Sequence, residues 1–544
     1  MTIGRPPRAP HDTLHSRRRL LLAAAGGVVA GCGGDPSPPD PGLPLLPRPP
    51  VVPVDGPAWS SFAGNPQHSA LGQITTQQMR GFYWYTPVDL QPQYSGGALQ
   101  THYGSPVITR QNTVLVPVRV GPTTFRVQGR VGATGDLLWQ LTSDYIPPPH
   151  RWIPGFNPVL TPAPDSRMVM PLAGGRVQVC SAPDAANAAA ALENITFYTS
   201  NAVYLAGKAL FDSSVFINTP LTSDSAGNVF FGFRVVNVVQ GGPASGGIAR
   251  IPADGSTPSF VTAAAVTGEP SLVKTMTNCA PALSANGSTL YVVFNTVAPA
   301  NGRPSGRLVA LNATTLALQS QVALTDPATG DPAWISDDAT SSPMVGPDGD
   351  VFIGVLEANA PAHNYRGWLL HFNAALTQSK TPGSFGWDNT PSVVPRAMVP
   401  QYTGTSSYLL LTKYNNYAGA GSGDGRNRMA ILDPNGLTQP DPINSAVTVM
   451  REVITIIGPT ADAGGPAGAV REWCVNTAAV DPFTRSVLVN NEDGILYRWD
   501  LPSNSFSERI TMNAGILQSY TATAIGPDGR IYAINNAILH SVGQ

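Results

Sequence analysis

The chain is poor in charged residues and has no pair of closely spaced cysteines. Charged side chains make up only 12% of its 544 residues, and the formal net charge is −2. Without a basic stripe, the sequence does not predict a nucleic-acid partner. The four cysteines, Cys32, Cys180, Cys279 and Cys474, form no Cys-x-x-Cys motif, so neither a zinc site nor a disulfide framework is indicated.

The sequence also lacks an apolar run long enough for a spanning helix, which needs about 20 apolar residues. Near the N-terminus, Arg17 to Arg19 precede a short apolar stretch that ends in Val29-Ala30-Gly31-Cys32. This order predicts a signal peptide over residues 1–31. Its last four residues resemble the lipobox of bacterial lipoproteins, which implies that Cys32 becomes the lipidated first residue. Ser16 to Leu21 also resemble a twin-arginine export signal, with an ordinary basic leader as the alternative.

The residues after the cysteine bear on location. Gly33 follows Cys32, which resembles the outer-membrane default of Gram-negative lipoproteins rather than inner-membrane retention. The segment from Gly33 to Ala58 contains ten prolines. Such a composition predicts a disordered, extended linker over residues 32–58, reaching on the order of 80 Å at about 3.1 Å per residue. We therefore expect an exported protein that is lipid-anchored in the outer membrane and faces the periplasm or the cell surface.

The body, residues 59–544, is predicted to be all-β because its apolar residues occur in short runs broken by Gly, Pro, Asn and Asp. One pattern recurs eight times: a small or polar residue before Pro or Ala, a few apolar residues, a turn and a β-branched or aromatic strand. The anchors of these units are Pro106, Pro158, Pro220, Pro281, Pro343, Pro391, Ala478 and Ala524. A four-stranded propeller blade needs about 40 to 50 residues plus insertions. The pattern predicts a single eight-bladed β-propeller, with seven blades as the alternative.

Two further features support a closed ring. The longest step between anchors, from Pro391 to Ala478, contains small-residue segments at 419–425 and 460–468 that predict loop insertions. The eighth unit ends at Gln544 with too few residues for four strands. Its outer strand is predicted to come from the β-prone N-terminal segment Phe82 to Thr86, which would remove the last open edge.

Two segments carry a family resemblance. Residues 59–70, Trp-Ser-Ser-Phe-Ala-Gly-Asn-Pro-Gln-His-Ser-Ala, resemble the leading segment of quinoprotein-like propellers, and residues 74–85 continue it. Val131 to Trp139 resemble the family's Ala-Thr-Gly-x-x-x-Trp turn and strand, and Leu308 to Leu318 are a weaker copy. The resemblance covers residues 59–544. It extends to quinoprotein alcohol dehydrogenase-like domains and to the β-barrel assembly lipoprotein propeller.

Ligand sites of propellers gather where loops enter the inner strands. Those loops are rich here in tryptophan and charge, and they supply the candidate binding residues His102, Arg151, Trp152, Lys274, Trp334, Asp337, Asp338, Trp387, Asp388, Glu472 and Trp473. Such a set suits a sugar, a planar cofactor or a divalent cation. The alternative is that the tryptophans fill the mouth and the charges pair with each other.

Three functions remain open from sequence. The first is a non-catalytic binding or scaffold propeller in the cell envelope, expected to be monomeric, with an envelope protein or glycan as partner and no cofactor. The second is a dehydrogenase using pyrroloquinoline quinone (PQQ) with calcium, as the family resemblance implies. Many members also carry two adjacent cysteines beneath the cofactor, and this chain has none, so no catalytic residue or metal ligand is assigned. The third is a carbohydrate-binding surface lipoprotein.

Overall fold

The fold is an all-β ring. The computed structural model describes residues 41–92, 103–149, 156–297, 303–336, 341–513 and 521–544, and only the backbone of residues 94–95 and 98–99. Within these residues, eight antiparallel sheets follow one another along the chain as propeller blades. The predicted eight-bladed propeller is confirmed, and the seven-bladed alternative is set aside.

The first four blades are numbered in chain order, each from its inner to its outer strand. The strands of blade 1 are Val107–Ile108, Thr113–Gly121, Thr124–Val131 and Leu137–Ser143. Those of blade 2 are Val159–Leu160, Met168–Pro171, Arg176–Cys180 and Leu192–Thr196. Blade 3 has a divided inner strand, and its strands are Val215–Ile217 with Thr222–Ser223, Val229–Val235, Gly247–Ile251 and Ser259–Thr262. Blade 4 is divided likewise, and its strands are Leu272–Thr275 with Ala282–Leu283, Thr289–Thr296, Gly306–Asn312 and Leu318–Ala323.

The remaining blades include the closing one. Blade 5 has three regular strands, Met344–Val345, Val351–Val355 and Trp368–Phe372. The strands of blade 6 are Ser392–Pro395, Tyr408–Tyr414, Arg428–Pro440 and Thr448–Ile457. Those of blade 7 are Ala479–Asp481, Ser486–Asn490, Ile495–Asp500 and Ser505–Thr511. Those of blade 8 are Ala524–Ile525, Ile531–Asn535, Ile538–Gly543 and, from the N-terminal part of the chain, Gly81–Pro87.

Helical and other short elements lie between the strands. The α-helices are Asn201–Ala206, Lys208–Asp212 and Ala263–Thr267. The 3₁₀ turns are Phe62–Gly64, Ala173–Gly175, Ala188–Ala190 and Arg396–Met398, and a small ribbon pairs Tyr94–Ser95 with Ala98–Leu99. Among the described residues, no helix combines the length and apolar character that crossing a membrane requires.

The N-terminal strand closes the ring as predicted. Gly81–Pro87 pairs antiparallel with the C-terminal strand Ile538–Gly543. Trp84 of this strand packs against the turn that resembles the Ala-Thr-Gly element, where Gly135 has φ of +76°. A Cβ at Gly135 would lie 2.5 Å from the Trp84 ring, so both the backbone angle and the close contact require glycine there.

The recurring small or polar residue before each anchor has a structural role. Buried hydrogen bonds join neighbouring blades where the inner strands begin. The Ser105 amide donates to Asn157 Oδ1 at 3.0 Å, and the Ser342 amide donates to Thr390 Oγ1 at 2.9 Å. The Thr390 amide in turn donates to the carbonyl of Asn476 at 3.1 Å. These short polar side chains tie the blades together around the axis, because buried backbone groups must be paired.

Blade 6 covers the edge of its three-stranded neighbour. The tip of its long outer hairpin reaches blade 5, where the Met450 amide donates to the Pro382 carbonyl at 2.8 Å. Asp441 Oδ1 accepts from His363 Nε2 at 3.1 Å, and both side chains are buried. The His363 ring stacks on Trp368 with centroids 3.8 Å apart. The predicted insertions at 419–425 and 460–468 are the loops on either side of this hairpin.

Residues 59–77 line the inner edges of the blades and are called the plug below. They run round the axis in blade order, where the inner strands end. The carbonyls of six plug residues accept hydrogen bonds of 2.8–2.9 Å from inner-strand amides of blades 1, 2, 4, 5, 6 and 7. The pairs are Trp59 with Ile108, Ser60 with Leu160, Pro66 with Leu283, Gln67 with Val345, Ser69 with Val393 and Ala70 with Val480. The amide of Gln77 then donates to the carbonyl of Gly529 in blade 8 at 2.8 Å.

The plug gives the propeller two different ends. The end where the inner strands finish is occupied by the plug and is called the closed face. The end where they begin is called the open mouth. The plug also pairs inner-strand edges that would otherwise expose unpaired backbone groups. The segment that the sequence marked only by resemblance is therefore a structural closure of one face.

The described part of the Pro-rich segment lies on the propeller. The Leu46 amide donates to the Phe82 carbonyl at 2.7 Å, and the Gly56 amide donates to the Arg110 carbonyl at 3.1 Å. Asp55 pairs with Arg110 at 2.8 Å. This differs from the extended linker predicted up to Ala58, because backbone hydrogen bonds to blades 1 and 8 hold the segment in place. Residues 1–40, with the predicted signal peptide and Cys32, lie outside the described residues.

Candidate functional site

A buried ion pair lies at the open mouth. Asp388 lies four residues before the inner strand of blade 6, and Lys413 lies near the end of that blade's second strand. Lys413 Nζ lies 3.0 Å from Asp388 Oδ2, and the two side chains are only 1% and 5% exposed. Asp388 has φ of +59°, a left-handed conformation that costs free energy for a residue with a Cβ. Burial, charge and backbone strain thus coincide at this position.

Aromatic side chains surround this pair. The Trp387 and Tyr417 rings meet edge to face with centroids 6.1 Å apart, and the Phe385 ring lies 6.0 Å from Lys413 Nζ. Burial raises the pKa of Tyr417 well above its usual range, and the charge of Glu472 raises it further. Tyr417 therefore carries its proton at neutral pH and can act as a hydrogen-bond donor at the mouth.

A second group at the mouth combines two carboxylates with a thiol. Ligand atoms of Glu472, Cys474 and Glu492 all lie within 4.8 Å of one another. The Cys474 thiol lies 3.4 Å from Glu492 Oε2, and Glu492 Oε1 accepts from the Glu472 amide at 3.1 Å. Cys474 and Glu492 are buried, and Glu472 is half-buried. The group adjoins Tyr417, whose pKa responds to the charges of Glu472, Asp388 and Cys474.

Two further candidates lie on blades 4 and 5. Lys274 Nζ donates to Asn295 Oδ1 at 3.2 Å, and both side chains are buried. Trp334 forms an isolated bridge with Leu356 and packs in the hydrophobic core of blades 4 to 6. The Arg303 guanidinium lies 5.6 Å from the centre of the Trp334 ring.

The three candidate tryptophans that the structure describes are core residues. Trp473 is 0% exposed and packs on Tyr497 and Phe506 inside blade 7. Trp387 and Trp334 are 5% and 7% exposed. Their placement favours the alternative interpretation from the sequence, in which the tryptophans of these loops fill the wide end of the ring. The polar candidates Asp388 and Glu472, by contrast, are brought together around Tyr417.

Five predicted site residues cannot be placed. His102, Arg151, Trp152, Asp337 and Asp338 lie outside the described residues.

Sequence reasoning missed several residues that build the mouth. Lys413 follows the apolar run Tyr408 to Leu411 within two residues. A charged residue at the end of a strand that is otherwise apolar was the sequence signal that could have identified it. Paired asparagines also recur at the ends of the second strands, as Asn415-Asn416, Asn490-Asn491 and Asn535-Asn536. Their amides bridge between blades. Asn490 Nδ2 donates to the Ile534 carbonyl at 2.6 Å, and Asn415 exchanges two hydrogen bonds with the backbone of Trp473.

Comparisons with known proteins identify similar folds but no related family. No family model matches the chain, and no curated protein matches it. Among solved structures, a europium-containing methanol dehydrogenase aligns with a TM-score of 0.52 at 10% identity, over 88% of this chain and 89% of that chain. A quinohemoprotein alcohol dehydrogenase from Comamonas testosteroni aligns at 0.47 and 12% identity over 90% and 77%. Saccharomyces cerevisiae Sqt1 aligns at 0.47 and 10% over 87% and 100%.

At this identity the comparison with the methanol dehydrogenase speaks to architecture alone. It agrees with the propeller fold that the sequence resemblance implies. The chain has the quinoprotein-like β-propeller fold.

Proposed function

We propose that the chain is an exported lipoprotein, anchored through Cys32 in the outer membrane, whose propeller binds a partner at its open mouth without catalysing a reaction. One observation carries the binding proposal: the plug occupies one end of the ring, while buried charged groups gather at the other. The order of basic residues, apolar run and Cys32 supports the anchor.

The buried pair is the reason for choosing the mouth. Removing two charges from water costs several kcal/mol per ion, and their attraction often does no more than offset that cost. Asp388 adds backbone strain of about 1–3 kcal/mol. Groups that are held at such a cost cluster at functional sites more often than elsewhere. A partner that offers hydrogen-bond donors to the half-buried Glu472, beside Tyr417 and the buried pair, fits this arrangement.

The anchor is tested by lipid labelling. Cells that express the chain are fed a radiolabelled fatty acid, and the membrane fractions are separated. We expect label on the natural chain in the outer-membrane fraction and none on Cys32→Ser. Equal labelling of both forms, or an unlabelled natural chain, would contradict the proposed anchor.

Binding at the mouth is tested with two probes, a glycan array and cross-linking to outer-membrane proteins in intact cells. The test variant is Lys413→Met with Asp388→Asn, which removes both charges together. The matched control is Lys380→Met, because Lys380 is 29% exposed and pairs with Asp350 at the start of the second strand of blade 5, at the end of the ring opposite the mouth. We expect a glycan or protein signal that is lost in the double variant and kept in the control. A signal unaffected by the double variant would place the binding elsewhere.

A second candidate is a quinone-dependent dehydrogenase, which the similarity to the methanol dehydrogenase favours. Calcium, the metal that the resemblance implies, takes six to eight oxygen ligands. Among the described residues, the one group able to hold a metal ion combines Glu472 and Glu492 with the thiol of Cys474. A thiol suits softer metals. These residues do not make a calcium site, and no catalytic step is derived.

Thermal melts separate the two candidates. The protein is heated with PQQ and Ca²⁺, with PQQ and Eu³⁺, and with each metal alone. A ligand present at 100 times its dissociation constant adds about 2.7 kcal/mol to stability. A rise in melting temperature with PQQ and metal together, accompanied by reduction of an artificial electron acceptor by an alcohol, would establish the dehydrogenase. No rise is the outcome expected for the binding propeller.

A further inference from the structure

The plug leaves blade 3 unpaired. Between Ser60, which pairs with blade 2, and Pro66, which pairs with blade 4, the chain turns away through the short helix Phe62–Gly64. The Ser60 amide donates to the Gly64 carbonyl at 3.0 Å, and the Ala70 amide donates to the Ala63 carbonyl at 2.9 Å. These bonds fold the detour onto the plug itself, so it makes no backbone bond to blade 3.

The strand register shows which backbone amide of blade 3 has no partner in the plug. In blade 4, the Ser284 amide closes the turn to Thr289, and the preceding amide, of Leu283, donates to the plug. In blade 3, the Asp224 amide closes the corresponding turn to Asn228 at 3.0 Å. Alternation along the strand therefore directs the preceding amide, of Ser223, towards the plug side. Within the described residues, the Ser223 amide has no hydrogen-bond acceptor.

A cavity of about 280 Å³ occupies this gap. Plug residues Ser60, Pro66 and Gln67 line one side, and Ser223 and Ser225 of blade 3 line the other. Leu160 and Leu283 supply apolar surface from blades 2 and 4. The volume falls just below the roughly 300–1,000 Å³ of pockets that enclose drug-sized ligands. A small part of a larger ligand would fit.

The charge of the cavity argues for a neutral ligand. Asp224 is the charged residue of its lining, and both carboxylate oxygens are already engaged. Oδ1 accepts from the amides of Ala226 and Asn228, and Oδ2 accepts from Asn228 Nδ2. The cavity thus offers hydroxyl groups, apolar carbons and the edge of a β-strand, and the oxygens of its one charged side chain are already hydrogen-bonded.

We infer that this cavity, here called the blade 3 slot, binds a short extended peptide of a partner protein. The plug shows which group pairs with such an edge. At the same strand position in six blades, the inner-strand amide donates to a peptide carbonyl of the plug. Addition of an extended peptide to an exposed strand edge is a common mode of recognition. The slot lies on the closed face, and this inference does not rest on the function proposed for the open mouth.

The probe is a phage-displayed library of random seven-residue peptides, selected on the full-length protein. Selected peptides are synthesised and titrated against two variants. Ser223→Pro deletes the amide hydrogen without breaking a ladder bond, because this residue faces away from the second strand. Ser225→Trp fills the slot from an exposed position. Leu283→Pro is the comparison for stability, because it removes an amide that the plug does use.

We expect selected peptides to bind Ser223→Pro and Ser225→Trp at least about tenfold more weakly than the natural chain. Both variants should melt close to the natural chain, whereas Leu283→Pro should melt lower. Lys208→Met changes an exposed side chain at the opposite end of the ring, and it should bind the peptides unchanged. The inference is overturned if the library yields no binding peptide, or if both slot variants bind the peptides as well as the natural chain.

Discussion

His68 in the plug predicts how the stability of the propeller depends on pH. Its ring is fully buried between the plug and blade 5. Nδ1–H donates to the Pro343 carbonyl at 2.7 Å, and the ring meets Phe62 edge to face at 5.2 Å. Nε2 has no hydrogen-bond partner among the described residues. Burial lowers the pKa of His68 from 6.5 to about 4, although the bond to Pro343 opposes that change.

The sign of the effect follows from proton binding. Between about pH 4 and pH 6.5, the unfolded chain binds a proton at His68 and the folded chain does not. The free energy of unfolding therefore rises with pH in this window, by about 1.4 kcal/mol per pH unit. The full contribution is present above pH 6.5, and about 3 kcal/mol is lost by pH 4.

The test compares His68→Asn with the natural chain in urea unfolding, followed by tryptophan fluorescence from about pH 4 to about pH 7. Asparagine tolerates the φ of +60° at this position. We expect the free energy of unfolding to rise less steeply with pH in the variant than in the natural chain, by about 1.4 kcal/mol per pH unit. Phe62→Leu is the control, because it removes the ring contact without removing a titrating group. Parallel slopes for His68→Asn and the natural chain would refute the reasoning.

Three other substitutions test the packing of the ring. Lys413→Met should lower the free energy of unfolding by about 3 kcal/mol, because it leaves the buried Asp388 carboxylate without its ammonium partner. Urea titrations measure this loss, and the added substitution Asp388→Asn should recover part of it. Gly354→Ala places a Cβ 1.8 Å from the Gly386 carbonyl and should lower the melting temperature, and an unchanged melting curve would show that the two backbones separate easily. Asp441→Ala should speed amide hydrogen exchange at the tip of the blade 6 hairpin, while exchange in blade 2 stays unchanged.

Much of the ring could be predicted from the sequence because its signals are local. The closing strand was predicted from the β-prone run Phe82 to Thr86 and from the incomplete last unit, and the structure confirms it. A Ser, Thr or Asn precedes seven of the eight anchors, with Ala280 in blade 4 as the exception, and this pattern marked the inner strands correctly in most blades. In blade 3 the pairing after the anchor begins at Thr222, two residues beyond Pro220, whereas in the likewise divided blade 4 it begins at Ala282, one residue beyond Pro281.

The plug and the mouth could not be predicted in the same way. The backbone hydrogen bond between Leu283 and Pro66 joins residues that are more than two hundred positions apart. No local sequence pattern predicts a contact of this kind. The charge pair of Asp388 and Lys413 likewise depends on how two strands of blade 6 meet. The tryptophan-rich loops suggested a binding site, but the three tryptophans of these loops that the structure describes, Trp334, Trp387 and Trp473, are buried in the core of the ring.

The path of the plug also has a consequence for biosynthesis. Residues 59–77 leave the ribosome early, yet their last partner, Gly529, is made near the end of the chain. At about 5–20 residues per second, the plug waits roughly 20 to 90 s for that partner. During this time its tryptophan and phenylalanine side chains lack the completed ring. Contacts of such long sequence separation also form slowly, so we expect the nascent chain to expose apolar surface until the ring closes.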